Sequence, residues 1–181
     1  SDGWCDPSTV RIMFNLVNNN ATATTMLRPL QGPHSFFRRL RISAGGALLE
    51  DFDYNRTHQM FEMLTSVHNR DNGDIEGFGY RSDTVSPKVA HTAANLPGIA
   101  GGSYQTVGFK LLSGIFNQPK MLPFKYMPLT IELELVADKD DPVVKPDDAT
   151  VFTTALTSNE WQINNVQLKC CRLYTYPSPR D

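Results

Sequence analysis

Two stretches of the chain alternate apolar and polar residues with a period of two, and this constrains its fold more than any other sequence feature. In LTIELELVA, Leu129, Ile131, Leu133 and Leu135 oppose Thr130, Glu132 and Glu134. In VRIMFNLV, Val10, Ile12, Phe14 and Leu16 oppose a side that includes Arg11 and Asn15. Successive side chains of a strand point to opposite faces, so both segments are expected to be half-buried β-strands.

Further strands follow from the same reasoning. TATTMLRPL carries β-branched threonines after the Asn18-Asn19-Asn20 turn and ends at Pro29, which suits an edge strand. Leu40, Ile42 and Ala44 alternate with Arg39, Arg41 and Ser43, and Gly45-Gly46 then precedes Ala47-Leu48-Leu49, the pattern of two strands joined at a tight turn. YQTVGFKLL, from Tyr104 to Leu112, is a further strand. WQINNVQLKCC alternates through Trp161, Ile163, Val166 and Leu168 with a slip at Asn164-Asn165 that predicts a bulge. The period changes only once: Tyr54, Thr57, Phe61, Leu64 and Val67 recur at three- and four-residue spacing, predicting one amphipathic helix with Asp51 or Asp53 as its N-cap. Packing of Met60, Phe61, Met63 and Leu64 on the sandwich is the expected fate of its apolar stripe, ahead of a partner-binding role.

The intervening segments read as loops. His68 to Ser103 is rich in Gly, Asn, Asp, Pro and Ser, the composition of an elaborated surface loop. Pro119, Pro123 and Pro128 impose a bent, extended connection, and DKDDPVVKPDD from Asp138 to Asp148 is an exposed loop. RLYTYPSPRD has no partner pattern, and residues 173–181 read as a tail foreign to the domain. About seven or eight strands with one inserted helix make an all-β sandwich the expected class. The chain has 181 residues, enough for one substantial core, so a single domain over residues 1–172 is expected.

Composition excludes several functions. Hydrophobic residues are 40% and charged residues 20% of the chain, as in an ordinary folded domain. A net charge of -2 gives no global attraction to nucleic acid or to an anionic membrane, and no apolar run is long enough to span a bilayer. Cys5, Cys170 and Cys171 form neither a disulfide framework nor a metal-binding spacing, and are expected to be reduced thiols in a reducing compartment. Sequons at Asn20 and Asn55 are short enough to occur by chance.

Chemistry-bearing patterns are equally sparse. His34, His58, His68 and His91 are scattered over helix and loops and form no HxxxH or HExxH motif, so no metal site is expected. Glu132 and Glu134 share a polar strand face with no sign of catalytic pairing. There is no GxSxG elbow, Cys170-Cys171 has no nearby histidine, and GGSYQTVGFK is not a phosphate loop. No catalytic residue, cofactor site or enzymatic activity is expected. Arg38, Arg39 and Arg41, with Arg28, Phe36 and Phe37 nearby, form the one basic cluster, and a solvated face or inter-subunit salt bridges suit it better than a nucleic-acid grip.

The run FFRRLRISAGGALLEDFDYNRTHQMFEML resembles the major capsid proteins of double-jelly-roll DNA viruses, nearest to the Polinton-like and virophage-related branch and the nucleocytoplasmic large DNA viruses. GFKLLSGIFNQPKMLPFKYMPLTIELELV and WQINNVQLKC resemble later segments of that family. The resemblance covers about Arg28 to Leu64 and Tyr104 to Cys171 and rests on strand-forming sequence. It implies an antiparallel jelly-roll sandwich, homotrimerisation into pseudo-hexagonal capsomers, contacts with neighbouring capsid subunits, and an icosahedral virion shell around DNA without sequence-specific nucleic-acid binding. At this length the chain holds about one of the two jelly rolls, so it is read as part of a longer protein, with the loop from His68 to Ser103 facing the exterior or a neighbour. A jelly-roll carbohydrate-binding module, which would need an aromatic platform such as Trp4 with Trp161, is one alternative. A single-jelly-roll capsid protein of an RNA virus, which often carries a strongly basic arm that this sequence lacks, is the other.

Overall fold

The computed structural model describes residues 4–66, 98–144 and 157–173. Its elements are β1 (Trp4–Cys5), β2 (Arg11–Asn18), β3 (Met26–Leu27), β4 (Phe37–Ala44), β5 (Ala47–Asp53), α1 (Tyr54–Leu64), β6 (Tyr104–Phe109), β7 (Leu122–Pro123), β8 (Leu129–Leu135), β9 (Thr157–Ser158), β10 (Trp161–Lys169) and β11 (Arg172–Leu173). The protein is mostly β with one α-helix among the described residues, as the periodicity predicts.

Two three-stranded antiparallel sheets carry the architecture. One has the order β10-β2-β6 and the other β5-β4-β8. Ile12, Phe14 and Leu16 of β2 and Leu40 and Ile42 of β4 are buried and supply the centre of the core. Phe14 and Phe37 meet edge to face with ring centroids 5.7 Å apart, and Phe109 of β6 stacks on Phe37 at 5.8 Å. Such aromatic pairs contribute about 0.5–1.5 kcal/mol beyond the area they bury. Phe37 lies three residues from Leu40 and still points inward, because the β4–β8 register shifts between Phe37 and Arg39.

The expected turn at Gly45-Gly46 joins β4 to β5. Both glycines have positive φ, 56° and 87°, which the primed two-residue hairpin turns require and which a Cβ would strain. The slip at Asn164-Asn165 is also present: the β10–β2 register shifts between Asn164 and Gln167, and Asn165 has a φ of 52°. Asp53 caps α1 by accepting the Arg56 N–H at 3.2 Å.

Asn18, fully buried at the end of β2, ties three segments together. Its Nδ2 donates to the Thr25 and Ile99 carbonyls at 2.9 Å each, and its Oδ1 accepts the Asn20 N–H at 3.2 Å. The facing turn passes so close that a Cβ on Gly101 would collide with the backbone oxygens of Thr22 and Asn20.

Several expectations are corrected. The strand in TATTMLRPL is reduced to Met26–Leu27, which pairs in parallel with Thr157–Ser158. Leu173, placed in the foreign tail, pairs with Trp4, and Arg172 pairs with Cys5. These two-residue strands are too short to show a period. The cysteines need no such correction: Cys5, Cys170 and Cys171 are free, in keeping with the absence of a disulfide framework in the sequence. The helix stops at Leu64, short of Val67, and buries only Tyr54. Most of the expected loop from His68 to Ser103, including His68 and His91, and residues 174–181 of the tail lie outside the described residues.

Candidate functional site

The most distinctive surface is the flank where β8 and β10 lie, each at the edge of its sheet among the described residues. An apolar cleft runs between them. β8 contributes Leu129, Ile131, Leu133 and Leu135, β10 contributes Ile163, Val166 and Leu168, and Ile12 and Phe37 are also in the lining. A second cleft shares Leu129, Ile131 and Leu168 and extends the apolar surface to Phe116, Phe124 and Cys170. Val166 is 61% exposed, and Leu135 and Leu168 are 45% and 46% exposed. The alternation that gives a sheet one apolar face is therefore present on both strands, while among the described residues that face is left partly uncovered there. An edge strand also presents a row of backbone donors and acceptors, so the flank offers hydrogen bonding along its rims and apolar contact between them.

The outer face of the β5-β4-β8 sheet is polar, and its charges are matched. Arg39 makes a bidentate pair with Asp51, with both contacts at 2.6 Å. Arg41 reaches Asp51 and Glu132, both at 3.5 Å, and Arg38 reaches Glu134 at 3.8 Å. The hydrogen bond and charge of Arg39 hold the Asp51 carboxyl below the usual carboxylate range, and Asp51 in turn raises Arg39. Arg38, Arg39 and Arg41 thus pair across the sheet within the chain, and Glu132 and Glu134 are their partners. Arg28 is buried apart from this face.

The apolar stripe of α1 does not pack as expected. Met60 and Phe61 are more than half exposed, and Met63 and Leu64 are 82% and 80% exposed. The helix is anchored at its first turn, where Tyr54 is buried against Phe109 and its hydroxyl oxygen accepts the Leu112 N–H at 3.2 Å.

Trp4 and Trp161 do not form a platform. Trp161 begins β10, packs edge to face on Phe36 at 4.9 Å and donates its indole N–H to the Lys139 carbonyl at 2.7 Å. Trp4 pairs with Leu173, beyond the other end of β10.

One constellation escapes the sequence reading. His34, on the 3-10 turn Pro33–Phe36, meets His58 and Glu62 of α1, and their donor atoms all lie within 4.8 Å of one another. His58 and Glu62 are four apart on one helix face, a spacing visible in the sequence, whereas the third donor arrives only through folding. Comparison with protein-family models, curated proteins and solved structures finds no match for this chain.

Proposed function

We propose that the chain is a jelly-roll building block of a viral shell, a structural subunit with no enzymatic role, of the kind that trimerises into pseudo-hexagonal capsomers around a DNA genome. One observation carries this reading, namely the strand order of the two sheets. An eight-stranded jelly roll, its strands lettered B to I along the chain, packs a B-I-D-G sheet on a C-H-E-F sheet. Taking β2, β4, β5, β6, β8 and β10 as D, E, F, G, H and I reproduces both observed orders, I-D-G as β10-β2-β6 and H-E-F as β8-β4-β5. Every neighbouring pair is antiparallel, as this scheme requires.

The scheme also accounts for the open flank. Strand B belongs beside β10 and strand C beside β8, the two edges that border the apolar cleft. In a shell, that flank is completed by further strands, and the polar sheet face and exposed helix stripe are left for contacts between subunits. The sequence resemblance to double-jelly-roll capsid proteins points the same way, and the helix falls between F and G.

The test is the molar mass in solution, by light scattering with electron microscopy of the peak, of the protein expressed with the flanking sequence of its own gene. Trimers appearing as hexagonal capsomers are expected. A monodisperse monomer that binds glycans on an array would overturn the proposal in favour of a binding module.

A further inference from the structure

The geometry points to a divalent transition-metal site of the zinc class at His34, His58 and Glu62, an assignment that does not depend on the capsid reading. Two imidazoles and one carboxylate are a donor set that zinc takes up with a fourth position left to water. His34 is 2% exposed, whereas the His58 and Glu62 side chains retain 24% and 23% exposure, so the cluster is walled on one side and open on the other. His58 Nδ1 already lies 3.7 Å from Glu62 Oε1.

The surroundings hold the donors in place. Gln59, next to His58 on the helix, donates from Nε2 to Gln31 Oε1 at 3.0 Å and to Asn55 Oδ1 at 3.1 Å. This ties α1 to the segment that leads into the turn carrying His34. Gly32 leaves room for the His34 ring, since a Cβ there would stand 3.0 Å from His34 Nδ1. The two imidazoles are stacked face to face, with centroids 3.7 Å apart and planes 8° from parallel. Nitrogen lone pairs lie in the ring planes, so parallel rings cannot both aim at one ion. Binding therefore requires the more exposed ring, His58, to rotate about χ2, a torsion with a broad profile in histidine. An ion held this way would fasten the helix to the 3-10 turn.

The test uses the full chain with Co2+ as a spectroscopic probe and Zn2+ as competitor. Saturable uptake of one Co2+ is expected, with the strong visible bands of a four-coordinate ion, no thiolate charge-transfer band, displacement by Zn2+, and loss of the ring-stacking shifts of His34 and His58 in the NMR spectrum. His58→Ala removes a ligand outright and should weaken uptake by more than the roughly 10- to 100-fold that loss of an outer-shell partner costs, and Glu62→Gln, which keeps the side chain's shape, should weaken it by less than His58→Ala does. Replacing Cys170 and Cys171 with serine should leave uptake unchanged. The proposal is overturned by the absence of saturable uptake of either ion, or by uptake that both site substitutions leave intact while circular dichroism shows wild-type folding.

Discussion

Two flanks of the molecule draw on the same two sheets and end differently. Around β6 and the end of β5, aromatic side chains bridge the sheets: Phe109 contacts Phe14 at 6.2 Å, Phe37 at 5.8 Å and Tyr54 at 6.5 Å. Phe14, Phe37, Tyr54 and Phe109 are all buried. Along β8 and β10, aliphatic side chains follow an equally regular alternation, yet Leu135, Val166 and Leu168 stand about half exposed or more. Patterning prepares a face for burial, and burial itself requires a facing layer. The first flank has its layer within the described chain, and the second has the face alone.

Four substitutions probe this contrast, from the largest expected effect to the smallest. Phe109→Ala removes the ring that joins both sheets to Tyr54, and should cost about 3–5 kcal/mol of unfolding free energy in urea titrations. A cost below about 1 kcal/mol would show that the closed flank is not closed. Tyr54→Phe keeps the ring and removes the oxygen that accepts the Leu112 N–H, leaving that donor without this acceptor. It should cost about 1 kcal/mol, read as a lower urea midpoint at an unchanged slope. On the open flank, Leu168→Ser should cost less than about 1 kcal/mol, because the side chain is already half solvated. The same substitution should reduce self-association in light scattering, and a loss as large as that of Phe109→Ala would mean that the cleft is filled in solution.

The smallest effect belongs to the polar face. The Asp51 carboxyl titrates lower in the folded protein than in the unfolded chain, so its stabilising contribution is complete above the usual carboxylate range and is lost as the pH falls through the depressed folded value. Asp51→Asn should therefore separate from wild type near neutral pH and converge with it in strong acid. The difference should shrink in high salt, as expected for a solvent-exposed pair.

How much of this the sequence revealed depended on whether the information was local. The β8 alternation, the Gly45-Gly46 turn, the Asn164-Asn165 slip and the Asp53 cap each declare themselves within a few residues. Two-residue strands such as β3 and β9 cannot, since they exist only because each supports the other. The helix period was legible, but the period cannot tell which face meets a neighbour, and Met63 and Leu64 ended in solvent. Two of the three donors of the histidine cluster lay in plain view as His58 and Glu62. His34 reaches it through the fold of the Pro33–Phe36 turn, which no spacing rule encodes. The charge pairing of Arg38, Arg39 and Arg41 depended in the same way on the β5-β4-β8 order.

The irregularity in β10 has a consequence for runaway polymerisation. Sheet edges beside an apolar cleft, such as β8 and β10 are among the described residues, are a usual seed of fibrous aggregation, because each added strand creates the next template. Here one of the two rims is broken: Asn165 in the left-handed region interrupts the run of evenly spaced edge groups and increases the local twist. A strand can add to β8 along its whole length, whereas one adding to β10 must carry a matching irregularity. On the proposed reading, that asymmetry favours one specific complement over indefinite stacking.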